Sequence, residues 1–363
     1  MSAQSTTLVD QVVDRTITLA SIPAPTGEEA ARAELITLWW RADGFDEVHD
    51  DAVGNVWARA RAGVGPAIAL AAHLDTVFGR DVAHDIARDG DTLRGPGVGD
   101  NAVGVVGIGA AGAAIAADGP PVWLCATVGE EGLGNLRGIT AALESPPEEI
   151  GGVLAVEGNY LGRVSTIGVG SARRRVRIDG PGGHAWEAAD APSAVHHAAT
   201  LIAALGATPR APGTAVNVGR VGGGEGINVR AREAWFEVDL RADDPSALAE
   251  LVRTLEEIVA GTPAPLQARL EPIGDRPAGR VDPGSALVRA AEAALADEGI
   301  AVTNPATSTD ANAAHARGIL AVALGVTTGA GEHTTEEWID LPPIASGIRA
   351  LAATVDRAGE AVR

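Results

Sequence analysis

Glu130 and Glu131 stand side by side where the apolar run of "VWLCATVGEEGLG" (122–134) gives way to glycine. An adjacent pair of glutamates is ordinarily a solvated turn. Three other apolar runs of this chain end in the same manner. "AIALAAHLDTV" (67–77) brings His73 and Asp75, "GGVLAVEGN" (151–159) brings Glu157, and "ILAVALGVTTGAGEH" (319–333) brings His333. Asp100 lies in the glycine-rich turn of "DTLRGPGVGDN" (91–101). Each has an everyday explanation alone: a strand end, a turn aspartate, a residue before a helix. Together they are two imidazoles and several carboxylates without a thiolate. That borderline nitrogen and oxygen donor set suits Zn²⁺, Co²⁺ or Mn²⁺. One carboxylate between two such sites could bridge two ions about 3.5–4 Å apart. The glutamate pair could then divide its work, one member binding metal and the other serving as base toward a water.

Residues this far apart meet only if the fold gathers them. In open α/β sheets, ligands bind outside the carboxyl ends of the strands. Helical spacing of apolar residues covers 7–20 and 28–42, separated by "SIPAPTGEE", where Thr26 followed by Glu28 and Glu29 suits a helix start. Buried-strand runs then alternate with helices, including a long small-residue helix over 102–119. Near residue 170 the texture changes to alternation of apolar and polar residues, which predicts sheet with one solvated face. Helices are expected at 193–206 and 246–260 within it, and at 285–298 and 343–361 after it. The fold class is therefore α/β, with a mostly parallel sheet and helices on both faces, plus an inserted smaller α+β domain. The expected boundaries are 1–169 with 276–363 for the larger domain and 170–275 for the insert.

Composition removes several functions. The 363 residues suffice for two domains. A formal net charge of −20 disfavours nucleic acid and anionic membrane as partners. Every basic residue is Arg, so a lysine Schiff base is excluded. The single cysteine, Cys125, lies in an apolar run and can build neither an internal disulfide nor a thiolate cluster. The first 25 residues read as neither a signal peptide nor a membrane span, and a cytoplasmic location is expected.

A rival chemistry lies in the same region. "GIGAAG" (107–112) matches the glycine fingerprint of dinucleotide-binding folds and would make the protein an NAD-dependent oxidoreductase. Its glycines fall within a continuous helical run, no full strand leads into them, and the reading leaves His73, Asp75, Glu157 and His333 unexplained.

The ordered motifs "HLDT", "GPGVGDN", "GEEGLG", "VEG", "GPGGHAW", "VDLR", "STDAN" and "GAGEHTTEEW" resemble those of the M20 family of metallopeptidases and deacylases across nearly the whole chain. The resemblance implies two divalent ions per chain, zinc first, with cobalt or manganese as alternatives. It implies that His73 and His333 each bind one ion, that Asp100 bridges, and that Glu131 and Glu157 complete the sites. Glu130 would be the general base and Asp75 would orient His73. The insert would be a lid that forms a homodimer, its His184 reaching the partner's site to polarise the scissile carbonyl. Arg241 and Asn228 would hold the substrate, and Gly329 and Gly331 would let a loop approach it. Two departures stand out. Arg230 and Ala231 replace the Ile-Pro found in many relatives, and Ala102 replaces a lysine. The expected substrate is a short peptide, with an N-acyl amino acid as the alternative. A non-catalytic relative that binds metal or peptide is opposed by the intact Glu130 and ligand set.

Overall fold

The run Ala67–His73 is buried at every position, and its alternate side chains face two different cores. Ile68, Leu70 and Ala72 face one, and Ala67, Ala69 and Ala71 the other, as the two-residue period of a strand requires. A strand apolar on both faces belongs inside a sheet covered on both sides. The computed structural model of the chain, which describes residues 7–359, shows that sheet.

Its six strands run in the order Asp46–Asp50, Val56–Arg61, Val122–Thr127, Ala67–His73, Ile150–Val156 and Leu320–Leu324. The last four are mutually parallel, and the first two add an antiparallel edge. The sheet is mostly parallel, as expected. Helices Leu8–Ala20, Ala30–Ala42, Val103–Gly112, Ala286–Asp297 and Ile344–Ala358 contribute to the core on one face. Arg137–Glu144 and Ala311–His315 contribute to the core on the other. The antiparallel edge is absent from the sequence reading because Asp46–Asp50 is largely exposed and carries no apolar run.

The small-residue helix is shorter than expected, ending at Gly112 rather than 119. It stops where burial stops, because Ala113 and Ala114 are exposed. Its glycines are packing positions. A Cβ at Gly107 would lie 2.5 Å from Val326 Cγ2, and one at Gly112 would lie 3.0 Å from Leu124 Cδ2. This close approach accounts for "GIGAAG" without a dinucleotide. The second helix begins at Ala30, and Thr26 does not cap it. Of the expected closing helix, residues 344–358 are helical, and 360–361 lie outside the described residues.

The chain divides into two compact units. One comprises residues up to Gly168 and from Arg280 onward, and the other is Val169–Gly279. The second contains a four-stranded antiparallel sheet in the order Thr214–Gly223, Glu233–Ala242, Gly170–Asp179, Gln267–Arg276. Helices Ala194–Ala207 and Pro245–Ala260 cover one face, packing Leu201, Leu205 and Leu255 with Val176, Ile178 and Phe236. Asp244 caps the latter helix by accepting from the Ser246 and Ala247 amides. The opposite face carries cross-strand ion pairs, among them Arg175–Glu237 and Arg177–Glu271. Such pairing explains the polar half of the alternation. Among the described residues, no helix is long and apolar enough to cross a membrane.

Candidate metal centre

Parallel pairing sets the carboxyl ends of three adjacent strands in one row. His73 is the last residue of its strand and pairs with Thr127, three residues before Glu130. Glu157 follows directly on the neighbouring strand Ile150–Val156. Asp100 arrives from the turn before the small-residue helix, and His333 from a turn after the last strand of the sheet.

These side chains converge. His73 Nε2 lies 2.9 Å from Asp100 Oδ1 and 3.4 Å from Glu157 Oε2. His333 Nε2 lies 3.2 Å from Asp100 Oδ2 and 3.1 Å from Glu131 Oε1. Asp100 thus presents one oxygen to each imidazole. Two groups of donors share it: His73, Asp100 and Glu157, and Asp100, Glu131 and His333. One donor atom each from His73, Glu130 and Glu131 also falls within a 4.8 Å set. Two ligands at about 2.0–2.1 Å from a tetrahedral Zn²⁺ stand roughly 3.3 Å apart. The observed nitrogen–oxygen separations bracket that value, so the donor set fits divalent metal. Charge fits as well. Asp100, Glu130, Glu131 and Glu157 carry four negative charges when ionised, and two divalent ions carry four positive.

The electrostatics show what a cation would meet. Burial opposes charge on His73, but the surrounding carboxylates of Asp100, Asp75 and Glu157 outweigh it and hold the imidazolium well above its ordinary range. Asp100 and Glu131 push His333 up to about 10. Burial would raise Asp100, yet its bonds to His333 and His73 hold it below the usual carboxylate range. Burial pushes Glu157 up to about 7. A proton and a divalent ion compete for the same Nε2 atoms. His333 has a left-handed backbone, φ +63°, uncommon for a residue with a side chain and a frequent mark of functional sites.

Asp75 does more than face His73. His73 Nδ1 is 3.0 Å from the main-chain oxygen of Asp75 and 3.6 Å from its carboxylate. The nearer contact is therefore the carbonyl. The carboxylate instead accepts from the main-chain amides of Glu130 (3.0 Å) and Glu131 (2.9 Å) and from the Thr26 hydroxyl (2.8 Å). It holds the glutamate turn, and Thr26 serves it rather than a helix.

Sequence reasoning missed several supports. Buried Glu29 accepts from the Gly129 amide at 3.0 Å and pairs with Arg137. Asn101 Nδ2 donates to Val156 O (2.7 Å) and Glu157 Oε2 (3.1 Å), while its Oδ1 accepts from the Gly158 amide. Arg32 is fully buried, and its guanidinium donates to the carbonyls of Ile22 and Leu74. Glu337, also fully buried, accepts from three amides of the Asp100 turn. No motif distinguishes such residues from solvated ones of the same type. Their neighbours supply the distinction.

Gly329 and Gly331 belong to the hairpin that carries His333. A Cβ at Gly329 would lie 2.3 Å from Trp338 O, and Gly331 has φ +84°. Both are needed for the hairpin itself.

His184, Asn228 and Arg241 belong to the second unit. His184 forms an isolated antiparallel bridge with Val229, and the Ala185 amide donates to Asn228 O at 2.9 Å, so two loops are laced together. The Trp186 amide donates to His184 Nδ1 at 3.3 Å. A ring that accepts at Nδ1 carries a hydrogen on Nε2, which leaves that nitrogen as a donor. Arg241 lies on the sheet face opposite the helices and pairs with Asp239 at 2.9 Å. Arg230, one of the departures, donates through its guanidinium to Ala189 O.

Fold and site together define a metallohydrolase. The chain belongs to peptidase family M20/M25/M40, whose model matches residues 69–357. Aminopeptidase PepT from Bacillus cereus ATCC 10987 superposes with a TM-score of 0.80 at 20% identity, covering 97% of this chain and 99% of that one. A tripeptidase from Staphylococcus aureus subsp. aureus Mu50 superposes with a TM-score of 0.79 at 19% identity, covering 98% and 100%. The YXEP protein of Bacillus subtilis, described as a dinuclear metal-binding peptidase of the M20 family, gives 0.71 at 19% identity, covering 97% and 99%. A search of curated protein sequences returned no significant match.

Proposed function

We propose that the protein is an exopeptidase that hydrolyses an amide bond of short peptides with two divalent cations. The observation that carries this reading is Asp100, with one oxygen toward His73 and the other toward His333. His73 and Glu157 would hold one ion, and His333 and Glu131 the other. Zinc is the first expectation for these donors, ahead of cobalt and manganese. When bound, such ions supply Lewis-acid activation of water and of the scissile carbonyl. The chain supplies the proton chemistry. Glu130 is fixed by its amide to Asp75 and has a carboxylate oxygen near the donor atoms of His73 and Glu131. It takes a proton from the attacking water and returns it to the leaving nitrogen.

The peptide preference is drawn from the similarity to PepT and the tripeptidase. A panel of di- and tripeptides beside N-acyl amino acids, assayed with Zn²⁺, Co²⁺ or Mn²⁺, tests it. Turnover of peptides, abolished by a chelator and restored by metal, is expected. Cleavage of N-acyl amino acids alone would replace the peptidase with a deacylase.

We further propose that the larger unit is catalytic and that Val169–Gly279 acts as a lid and dimerisation unit. In a homodimer, His184 would donate from Nε2 to the carbonyl oxygen in the partner's site, and Arg241 and Asn228 would contact the substrate. His184→Ala is expected to keep its metals and lose about 10²–10³-fold in kcat, the scale for one oxyanion donor. Mixed with Glu130→Ala subunits, it should regain part of the activity once subunits exchange. No regain despite demonstrated exchange would place the histidine's action within its own chain.

A further inference from the structure

We propose that Glu337 is a positioning residue for Asp100, holding the turn that carries the shared ligand in its ligating form before any cation arrives. This rests on the reading of the site as a metal centre. Glu337 is 0% exposed, and each carboxylate oxygen is engaged. Oε2 accepts from the Gly97 amide at 2.7 Å, and Oε1 accepts from the Gly99 amide at 2.8 Å and the Asp100 amide at 2.7 Å. Gly97 has φ +73°, and converging amides in such a turn form a nest that attracts an anion. Here the chain fills its own nest. A carboxylate buried without hydrogen bonds would be strongly unfavourable; three amides offset part of that cost, while burial and the neighbouring Asp100 charge still push Glu337 up to about 8.

The placement gives the tie its consequence. Glu337 comes four residues after His333 and directly before the short strand Trp338–Asp340. That strand pairs with Thr92–Arg94, which leads into the Asp100 turn, and the Glu337 carbonyl accepts from the Gly95 amide at 2.9 Å. One segment therefore supplies His333 and fixes the turn that presents Asp100. Across that tie, His333 Nε2 stands 3.2 Å from Asp100 Oδ2. The fit is close. A Cβ at Gly99 would lie 2.8 Å from Glu337 Oε1. Glutamine would keep the shape but turn an N–H₂ toward an amide donor, and aspartate would stop one methylene short.

The test is titration of metal-free wild type and Glu337→Gln with Co²⁺ alone, followed by its visible absorption and by equilibrium dialysis. Glu337→Gln should weaken cobalt binding by about 10–100-fold, the usual effect of removing a partner behind a ligand. Saturating Co²⁺ should bring kcat back to within a few-fold of wild type, which loss of a reacting group would not allow. A second measurement needs no variant. Amide hydrogen exchange of metal-free wild type should show Gly97, Gly99 and Asp100 strongly protected. Unchanged cobalt affinity in Glu337→Gln, or free exchange of these amides until metal is added, would overturn the proposal. Wild type that takes up no cobalt would overturn the metal-centre reading beneath it. Should Glu337→Gln fail to fold, the exchange experiment decides alone.

Discussion

Glu130→Gln is expected to keep both cations and lose turnover by roughly 10²–10⁴-fold. The substitution preserves size and leaves the main chain unchanged, so the Glu130 amide can still donate to Asp75. It removes the one property the proposed role requires, the ability to accept and return a proton. Its neighbour should behave differently. Glu131 approaches His333 Nε2 at 3.1 Å, so Glu131→Gln is expected to weaken metal occupancy as well. Metal content and kcat measured on the same preparations separate the two. Near-normal turnover in Glu130→Gln would remove this residue from the mechanism.

Asp100→Ala is expected to lower affinity for both cations together, by more than about 100-fold. A ligand belonging to one site would weaken one binding step and spare the other. Asp100 faces both imidazoles, so both steps should fall. The fold should survive, because Asp100 belongs to neither core, and the substitution leaves its core neighbours Val98 and Ala102 in place. Equilibrium dialysis gives the two affinities, and thermal unfolding of the metal-free protein checks the fold. A variant that still binds one cation at wild-type strength would show that Asp100 does not bridge.

The glutamate pairs show what the sequence could reveal. Glu28 is exposed and pairs with Arg80, while Glu29 is buried under Gly129 and Arg137. Glu336 is exposed, while Glu337 is buried under three amides. Nothing in the letters separates these pairs from Glu130–Glu131. The latter could be read because it ends an apolar run, and three other runs end in ligand-type residues. Periodicity reports which segments cross the core, and strand ends follow from it. Glu29, Asn101, Arg32 and Glu337 act on main-chain atoms of segments far away in sequence. Local pattern carries no trace of that until the chain is folded. The same limit explains the edge strand Asp46–Asp50, which pairs through its backbone without apolar side chains to mark it. It also explains Asp75. The resemblance implies Asp75 as the partner of His73, while the amides of Glu130 and Glu131 it accepts from lie more than fifty residues on.

The central claim is that Asp100 joins two metal positions, and anomalous diffraction from crystals grown with Zn²⁺ tests it most directly. Two anomalous peaks are expected, one among His73, Asp100 and Glu157, the other among His333, Asp100 and Glu131, about 3.5–4 Å apart. A single peak, or zinc bound away from Asp100, would contradict the account.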